Sequence, residues 1–293
     1  MQVVNNKGSD KVTIVFTADN RFSMPLAVAL CSMIKNYQDN RKIVAFIIDG
    51  GITRNNKNKI IRSCQSDYLE INWVKPAKNL FPKGYIYKAH FSEAINYRIQ
   101  ISGLLPPDLA KVIYLDSDVV VLGNIAELWD IDIGEDYLLA QGRGILNSGV
   151  LLINLEKWRE KNLSVALLDA LRETIYDLKV PDQSLLNAVL FGKWGKLNYA
   201  WNTWPKNVNE KTKIVHFLTA KKPWGIDGDK VPNSYLFFKY LDMTAWSGWR
   251  LNFPRRLWQR AQFFSRQTNK AIKSVISSKQ KRRPHASKRY HDQ

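Results

Sequence analysis

Three features of this 293-residue sequence predict an α/β fold built on a mostly parallel central sheet. Short β-branched runs alternate with helix-patterned segments, each apolar run breaks at a polar turn, and one run delivers two carboxylates where a buried strand would surface. "KVTIVF" (11–16) is the first strand; it ends in "TADN", and "MPLAVALCSMIKNY" follows with helical apolar spacing and Pro25 near its start. "KIVAFIID" (42–49) reads as the second strand, "NKNKIIRSCQS" as its helix and "LEINWVKP" as the third strand. The order βαβαβ calls for parallel pairing. A helix around "SEAINYRIQISGLL" closes at "LPPD", and "KVIYLDSD" is a fourth strand, deep in the sheet because nothing polar interrupts it. "YLLAQ" and "SGVLLINL" read as strands, "EKW" opens a helical segment, Pro181 introduces the amphipathic helix "DQSLLNAVLF", and "KIVHFL" (213–218) is a late strand.

Length and composition fit one large folded domain, with 45% hydrophobic residues and ten Trp to fill a core. No apolar run reaches the roughly 18 residues needed to span a bilayer, and "MQVVNNKGSDKVTIVF" lacks the basic-then-apolar order of a secretory leader. Cys31 and Cys64 have no metal-ligand spacing, which fits a reduced, cytoplasmic setting. The charge is uneven. From Ala245 onward thirteen Lys and Arg face one acid, Asp292, so this end carries +12 of the net +18. A catalytic domain over 1–240 and a basic, aromatic tail over 241–293 are therefore expected, the tail's end reading as disordered. After Pro254, Leu257, Ala261, Phe264, Ile272 and Val275 recur near helical spacing among arginines and lysines, with Trp246, Trp249, Phe253 and Trp258 as interfacial aromatics. Such a segment suits an anionic membrane surface, so the expected location is peripheral, on the inner face of the cytoplasmic membrane. Charge alone also admits a basic nucleic-acid-binding protein, but the first 244 residues interleave no basic cluster with a recognition module, and no nucleic acid is expected.

Asp116 and Asp118 stand at the C-terminal end of the fourth strand, the edge where open α/β sheets bind ligands. Alternate residues of an extended segment can turn toward one cation, and hard oxygen donors suit Mg²⁺ or Mn²⁺. "YLDSDVV" fits two chemistries: a divalent ion holding a diphosphate, or phosphoryl transfer with Asp116 as nucleophile, as in a haloacid-dehalogenase-like phosphohydrolase. That phosphohydrolase pattern opens its fold with this strand and needs a later acidic pair behind another apolar strand. Here the motif comes late, and "GIDGDK" has no such strand before it.

Downstream of the two carboxylates come "LWDIDIG", "LNSGVLLINLEKW", "VPDQSLLN" and "VHFLTAKKPW", in that order. From about Val12 to Trp224 the sequence resembles the retaining glycosyltransferases of family 8, the group containing glycogenin and the bacterial lipopolysaccharide galactosyl- and glucosyltransferases. The resemblance implies a single-domain nucleotide-diphospho-sugar transferase (GT-A-like) fold and transfer of glucose or galactose from a UDP-sugar to a glycan or lipid-linked glycan, as in lipopolysaccharide biosynthesis. By motif, Asp116 and Asp118 match the metal-holding pair and His216 the histidine that completes the protein's share of the shell. Imidazole with carboxylates suits Mn²⁺, with Mg²⁺ as the alternative. Lys222 matches a lysine that contacts the diphosphate, Thr17, Ala18 and Asp19 the uridine-contacting segment, and Arg98 an arginine near donor sugar and phosphate. The alternative for "TADN" is a helix-capping turn. Asn147, Asp182 and Gln183 match positions lining the donor hexose. Gln183 is a poor nucleophile, which favours front-side attack with Gln183 stabilising an oxocarbenium-like centre and Asp182 orienting sugar hydroxyls. Where relatives insert a longer segment before "NSG", this chain has only "GRGIL".

Overall fold

The structure is a computed structural model that describes residues 11–77, 93–174 and 181–251. Strand β1 (Lys11–Ala18) is buried from Val12 onward, as an unbroken apolar run requires, and pairs in parallel with β2 (Lys42–Asp49). Helix α1 (Ser23–Lys35) connects them, with Pro25 in its first turn, where a missing N–H breaks no helical bond. Helix α2 (Arg54–Ser63), capped by the Thr53 hydroxyl on the Asn56 N–H, leads to β3 (Leu69–Val74), parallel to β2. A 3-10 helical segment, Glu93–Gln100, and one helical turn, α3 (Ile101–Leu104), stand where the sequence predicts a single helix. From Asn96 to Gln100 every residue but Tyr97 is buried, so no polar face reveals how the segment winds.

Strand β4 (Lys111–Leu115) then enters beside β1 in parallel. The remaining elements are β5 (Val119–Val121), α4 (Ile125–Trp129), β6 (Leu138–Arg143), β7 (Ile145–Asn154), α5 (Leu155–Glu160), α6 (Leu163–Thr174), α7 (Pro181–Val189), β8 (Gly195–Lys196), β9 (Ile214–His216) and α8 (Ser234–Leu241). The seven-stranded sheet has the order β3-β2-β1-β4-β7-β6-β8 and is parallel except where β7 runs against β4 and β6. The short "GRGIL" segment is the β6–β7 hairpin, turned at Gly144 with φ of 78°.

Alternation along β1 feeds two cores. Ile14 and Phe16 pack with Leu26, Leu30 and Met33 of α1 on one face, while Val15 joins Trp158, Leu167 and Leu185 of α5, α6 and α7 on the other. Covered on both faces, the sheet exposes its strand ends, and the β4 end carries the two carboxylates. Outside the main sheet, β5 and β9 form an antiparallel ribbon that sets Val119 opposite His216.

The chain divides into two contact units, 1–223 with 227–249, and 224–226 with 250–293. Within the first, the Asn36 side chain donates to the Tyr240 hydroxyl at 2.7 Å, and Trp246 packs against the core under the Lys59 ammonium, 5.2 Å from the ring centre. Of the second, Trp224 to Ile226, Arg250 and Leu251 are described. Of the tail expected over 241–293, residues 241–251 are described, and Trp246, expected among its interfacial aromatics, is partly buried against the core; the rest of the membrane expectation, 252–293, lies outside the described residues. Among the described residues, no helix is long and apolar enough to cross a membrane.

Candidate active site

Asp116 leaves β4 with its N–H donating to the Gly149 carbonyl at 2.8 Å, which anchors the turn to β7. Its Oδ1 accepts from two buried groups, Arg98 Nη2 at 2.9 Å and the Tyr114 hydroxyl at 2.7 Å. The Tyr114 proton is therefore spent on Asp116, and at 3.0 Å Thr17 Oγ1 must be the donor to the phenolic oxygen. Arg98 is 2% exposed, stacks 4.3 Å from the Tyr114 ring centre and donates to the Ser148 carbonyl. Rather than reaching into open space, it fixes Asp116. Burial, outweighing nearby Arg98, pushes the Tyr114 phenol well above its ordinary value and keeps it a donor.

Asp118 is 8% exposed. Its Oδ2 accepts from Lys222 Nζ at 2.5 Å, and the same ammonium donates to the Phe217 carbonyl at 2.6 Å. Burial alone would raise the Asp118 carboxyl; the Lys222 ammonium against it is the largest opposing influence, and the group is held below its ordinary value. Its Oδ1 has no hydrogen-bond partner, and His216 Nε2 lies 3.2 Å from it and 3.5 Å from Asp116 Oδ2. Pairing of β5 with β9 puts His216 here. Gly149 makes room: a Cβ at that position would lie 2.0 Å from the ring's Cε1.

His216 Nδ1 lies 2.9 Å from Asn202 Oδ1, and Asn202 Nδ2 donates to Asn147 Oδ1 at 2.8 Å. With its amide nitrogen committed to Asn147, Asn202 offers His216 an oxygen, so the proton sits on Nδ1 and the Nε2 lone pair faces the carboxylates. Asp116, Asp118 and His216 thus bring ligand atoms within 4.8 Å of one another. Three lone pairs crowded together, one of them on an orphaned buried oxygen, repel unless a cation lies among them; the residues fit a divalent metal.

Beyond Asn202, Asn147 Nδ2 donates to Gln183 Oε1 at 3.3 Å, while Asn147 Oδ1 also accepts the Gly149 N–H at 3.1 Å. Asn187, one turn beyond Gln183, exchanges two hydrogen bonds with the Leu146 backbone at 2.8 and 3.1 Å and clamps α7 to β7. The structure therefore gathers Asp116, Asp118, His216, Lys222, Asn147 and Gln183. Asp182 is the second residue of α7, but its side chain lies outside the described residues. Thr17 and Ala18 end β1 at the same edge. Asp19 Oδ1 caps the Arg21 and Phe22 N–H groups at 2.8 and 3.2 Å, and its Oδ2 pairs with the Arg21 guanidinium at 2.9 Å. Sequence reasoning missed Tyr114 and Asn202. Tyr114 shares the strand face of Asp116 by a two-residue period, which would have found it. Asn202, fully buried, stands in the aromatic run "YAWNTW", where a lone amide must have polar partners.

The sequence matches the family described as Glycosyl transferase family 8 over residues 13–143 and 139–228. It is 27% identical over 271 residues to General stress protein A of Bacillus subtilis, spanning 80% of this chain and 94% of that protein. Among solved structures, the fold is similar to the galactosyltransferase LgtC in complex with donor and acceptor sugar analogues, with a TM-score of 0.72 and 24% identity over 80% of this chain and 96% of that one. It is also similar to the glycosyltransferase GlyE of Streptococcus pneumoniae, with a TM-score of 0.64 and 22% identity over 78% of this chain and 60% of that one.

Proposed function

The chain belongs to glycosyltransferase family 8, and on that premise we propose that it moves glucose or galactose from a UDP-sugar to a glycan or lipid-linked glycan, using Mn²⁺ and retaining the anomeric configuration. Family membership sets aside the phosphohydrolase reading. The observation that carries the proposal is the Asp116–Asp118–His216 cluster with Lys222 against Asp118. Asp116, Asp118 and His216 would hold the divalent ion, which when bound would supply positive charge against the donor diphosphate. Mn²⁺ is favoured over Mg²⁺ by the imidazole in the donor set.

Lys222 supplies a positive charge beside the place where the leaving UDP gains negative charge, which stabilises the transition state more than the ground state. Asn147, Asp182 and Gln183 line the hexose in this reading; the Gln183 amide, a poor nucleophile, steadies the electron-deficient anomeric carbon during front-side attack. Thr17, Ala18 and Asp19 hold the uridine. Arg98, buried against Asp116, acts on the donor through that carboxylate. A catalytic domain over 1–240 and a basic tail over 241–293 that binds anionic membrane would bring the enzyme to a lipid-linked acceptor at the inner face of the cytoplasmic membrane, in lipopolysaccharide-type synthesis. The test is turnover of UDP-glucose and UDP-galactose with Mn²⁺ and with EDTA. One of the two should be consumed only with the metal, and consumption of neither would overturn the proposal.

A further inference from the structure

We infer that Asn202 is a positioning residue that keeps the metal-facing nitrogen of His216 unprotonated and ties that histidine to the hexose-side residues Asn147 and Gln183. The inference rests on the metal reading of the Asp116–Asp118–His216 cluster. Its observation is an unbroken chain of side-chain contacts that starts at buried His216 and Asn202 and ends at half-buried Asn147 and Gln183: His216 Nδ1 to Asn202 Oδ1 at 2.9 Å, Asn202 Nδ2 to Asn147 Oδ1 at 2.8 Å, and Asn147 Nδ2 to Gln183 Oε1 at 3.3 Å.

Each link fixes the next. An amide has one face of each kind, so donation to Asn147 leaves only an acceptor for His216. Remove that acceptor and the imidazole proton has a better place to go: Nε2, where Asp118 Oδ1 at 3.2 Å and Asp116 Oδ2 at 3.5 Å both attract it. A cation would then have to displace that proton. Hydrogen bonds from a ligating histidine's other nitrogen commonly set ring orientation and basicity, and losing them typically lowers metal affinity about 10- to 100-fold. On its other side Asn202 orients Asn147, whose oxygen also holds the Gly149 N–H at 3.1 Å and whose nitrogen reaches Gln183. Asn202 is fully buried and touches neither carboxylate of the cluster by any hydrogen bond described, so it acts through its neighbours.

The two substitutions Asn202→Leu and Asn202→Asp separate the arms. Leucine removes both; aspartate still accepts the Nδ1 proton but has nothing to donate to Asn147. Calorimetric titration of Mn²⁺ into metal-free full-length protein should show the Leu variant about 10- to 100-fold weaker than wild type and the Asp variant no weaker than wild type. With Mn²⁺ and donor saturating, the Asp variant should nevertheless lose at least tenfold in kcat. Thermal melting establishes that each variant is folded, and if the Leu variant is not, the Asp variant decides. Wild-type Mn²⁺ affinity in a folded Leu variant, or weakened affinity in the Asp variant, overturns the His216 arm; undiminished kcat in the Asp variant overturns the Asn147 arm. Failure of the wild-type protein itself to bind Mn²⁺ would instead defeat the metal reading.

Discussion

Gly149→Ala should cost metal binding far more than it costs folding. The added Cβ would stand 2.0 Å from Cε1, 2.6 Å from Nδ1 and 2.8 Å from Nε2 of His216. Non-bonded carbons settle at about 3.5–4.0 Å, so one side must retreat by roughly 1.5 Å. Strand β7 is poorly placed to do so: the Gly149 carbonyl accepts from Asp116 at 2.8 Å, and Val150 pairs with Leu115 of β4. The ring moves instead, which breaks its 2.9 Å contact with Asn202 and draws Nε2 away from the carboxylates. Overpacking of this kind costs about 1–3 kcal/mol, well inside the roughly 5–15 kcal/mol of a typical domain, and lowers Tm by about 2–4 °C per kcal/mol at this size. The protein stays folded, but Mn²⁺ affinity should fall about 10- to 100-fold. Melting curves of the metal-free protein followed by Mn²⁺ titration measure both effects. A folded alanine variant that binds Mn²⁺ like wild type would refute the placement of His216 over Gly149 as the reason for that glycine.

Two other outcomes are expected from the proposed mechanism. Gln183→Ala should slow transfer about a hundredfold, roughly 2.7 kcal/mol of transition-state stabilisation, with Mn²⁺ affinity unchanged and the product α-linked by proton NMR; an initial β-linked product would remove front-side attack. For the tail, full-length protein should sediment with anionic but not neutral vesicles, less so at high salt as screening shortens, and Gln in place of Arg255, Arg256 and Arg260 should weaken this while donor turnover persists. Equal recovery in the supernatant with both vesicle types would leave the tail without a membrane role.

The strand–helix alternation was legible because each buried run, such as "KVTIVF" or "KIVAFIID", is bounded by polar turns, and the site's position was set by where "KVIYLDSD" ends. Local pattern carries that much. The β5–β9 ribbon was not separable from its surroundings, since a three-residue strand such as Val119–Val121 shows no period of its own. The 3-10 winding of Glu93–Gln100 was hidden for a related reason: from Asn96 to Gln100 polar and apolar side chains are buried alike, Tyr97 apart, so no amphipathic stripe marks the helix type. Long-range pairing explains the rest. Asn202 meets partners 14 and 55 positions away, and Arg98 meets Asp116 across 18, distances over which spacing says nothing about contact. The resemblance pointed to Asp116, Asp118 and His216, which the fold brings together; only the fold revealed that Arg98 and Tyr114 hydrogen-bond Asp116 and that Asn202 meets His216.

The most direct measurement is donor consumption by wild type and Asp118→Asn, side by side, across a Mn²⁺ titration with UDP-glucose and UDP-galactose. The substitution keeps the shape of a buried residue while removing the charge that faces Lys222 and the ligand oxygen that lacks any other partner. Wild type should turn over one donor with saturable dependence on Mn²⁺, and the folded Asn variant should show no metal-dependent turnover. Wild-type turnover in the Asn variant would contradict the assignment of Asp116, Asp118 and His216 as the metal site.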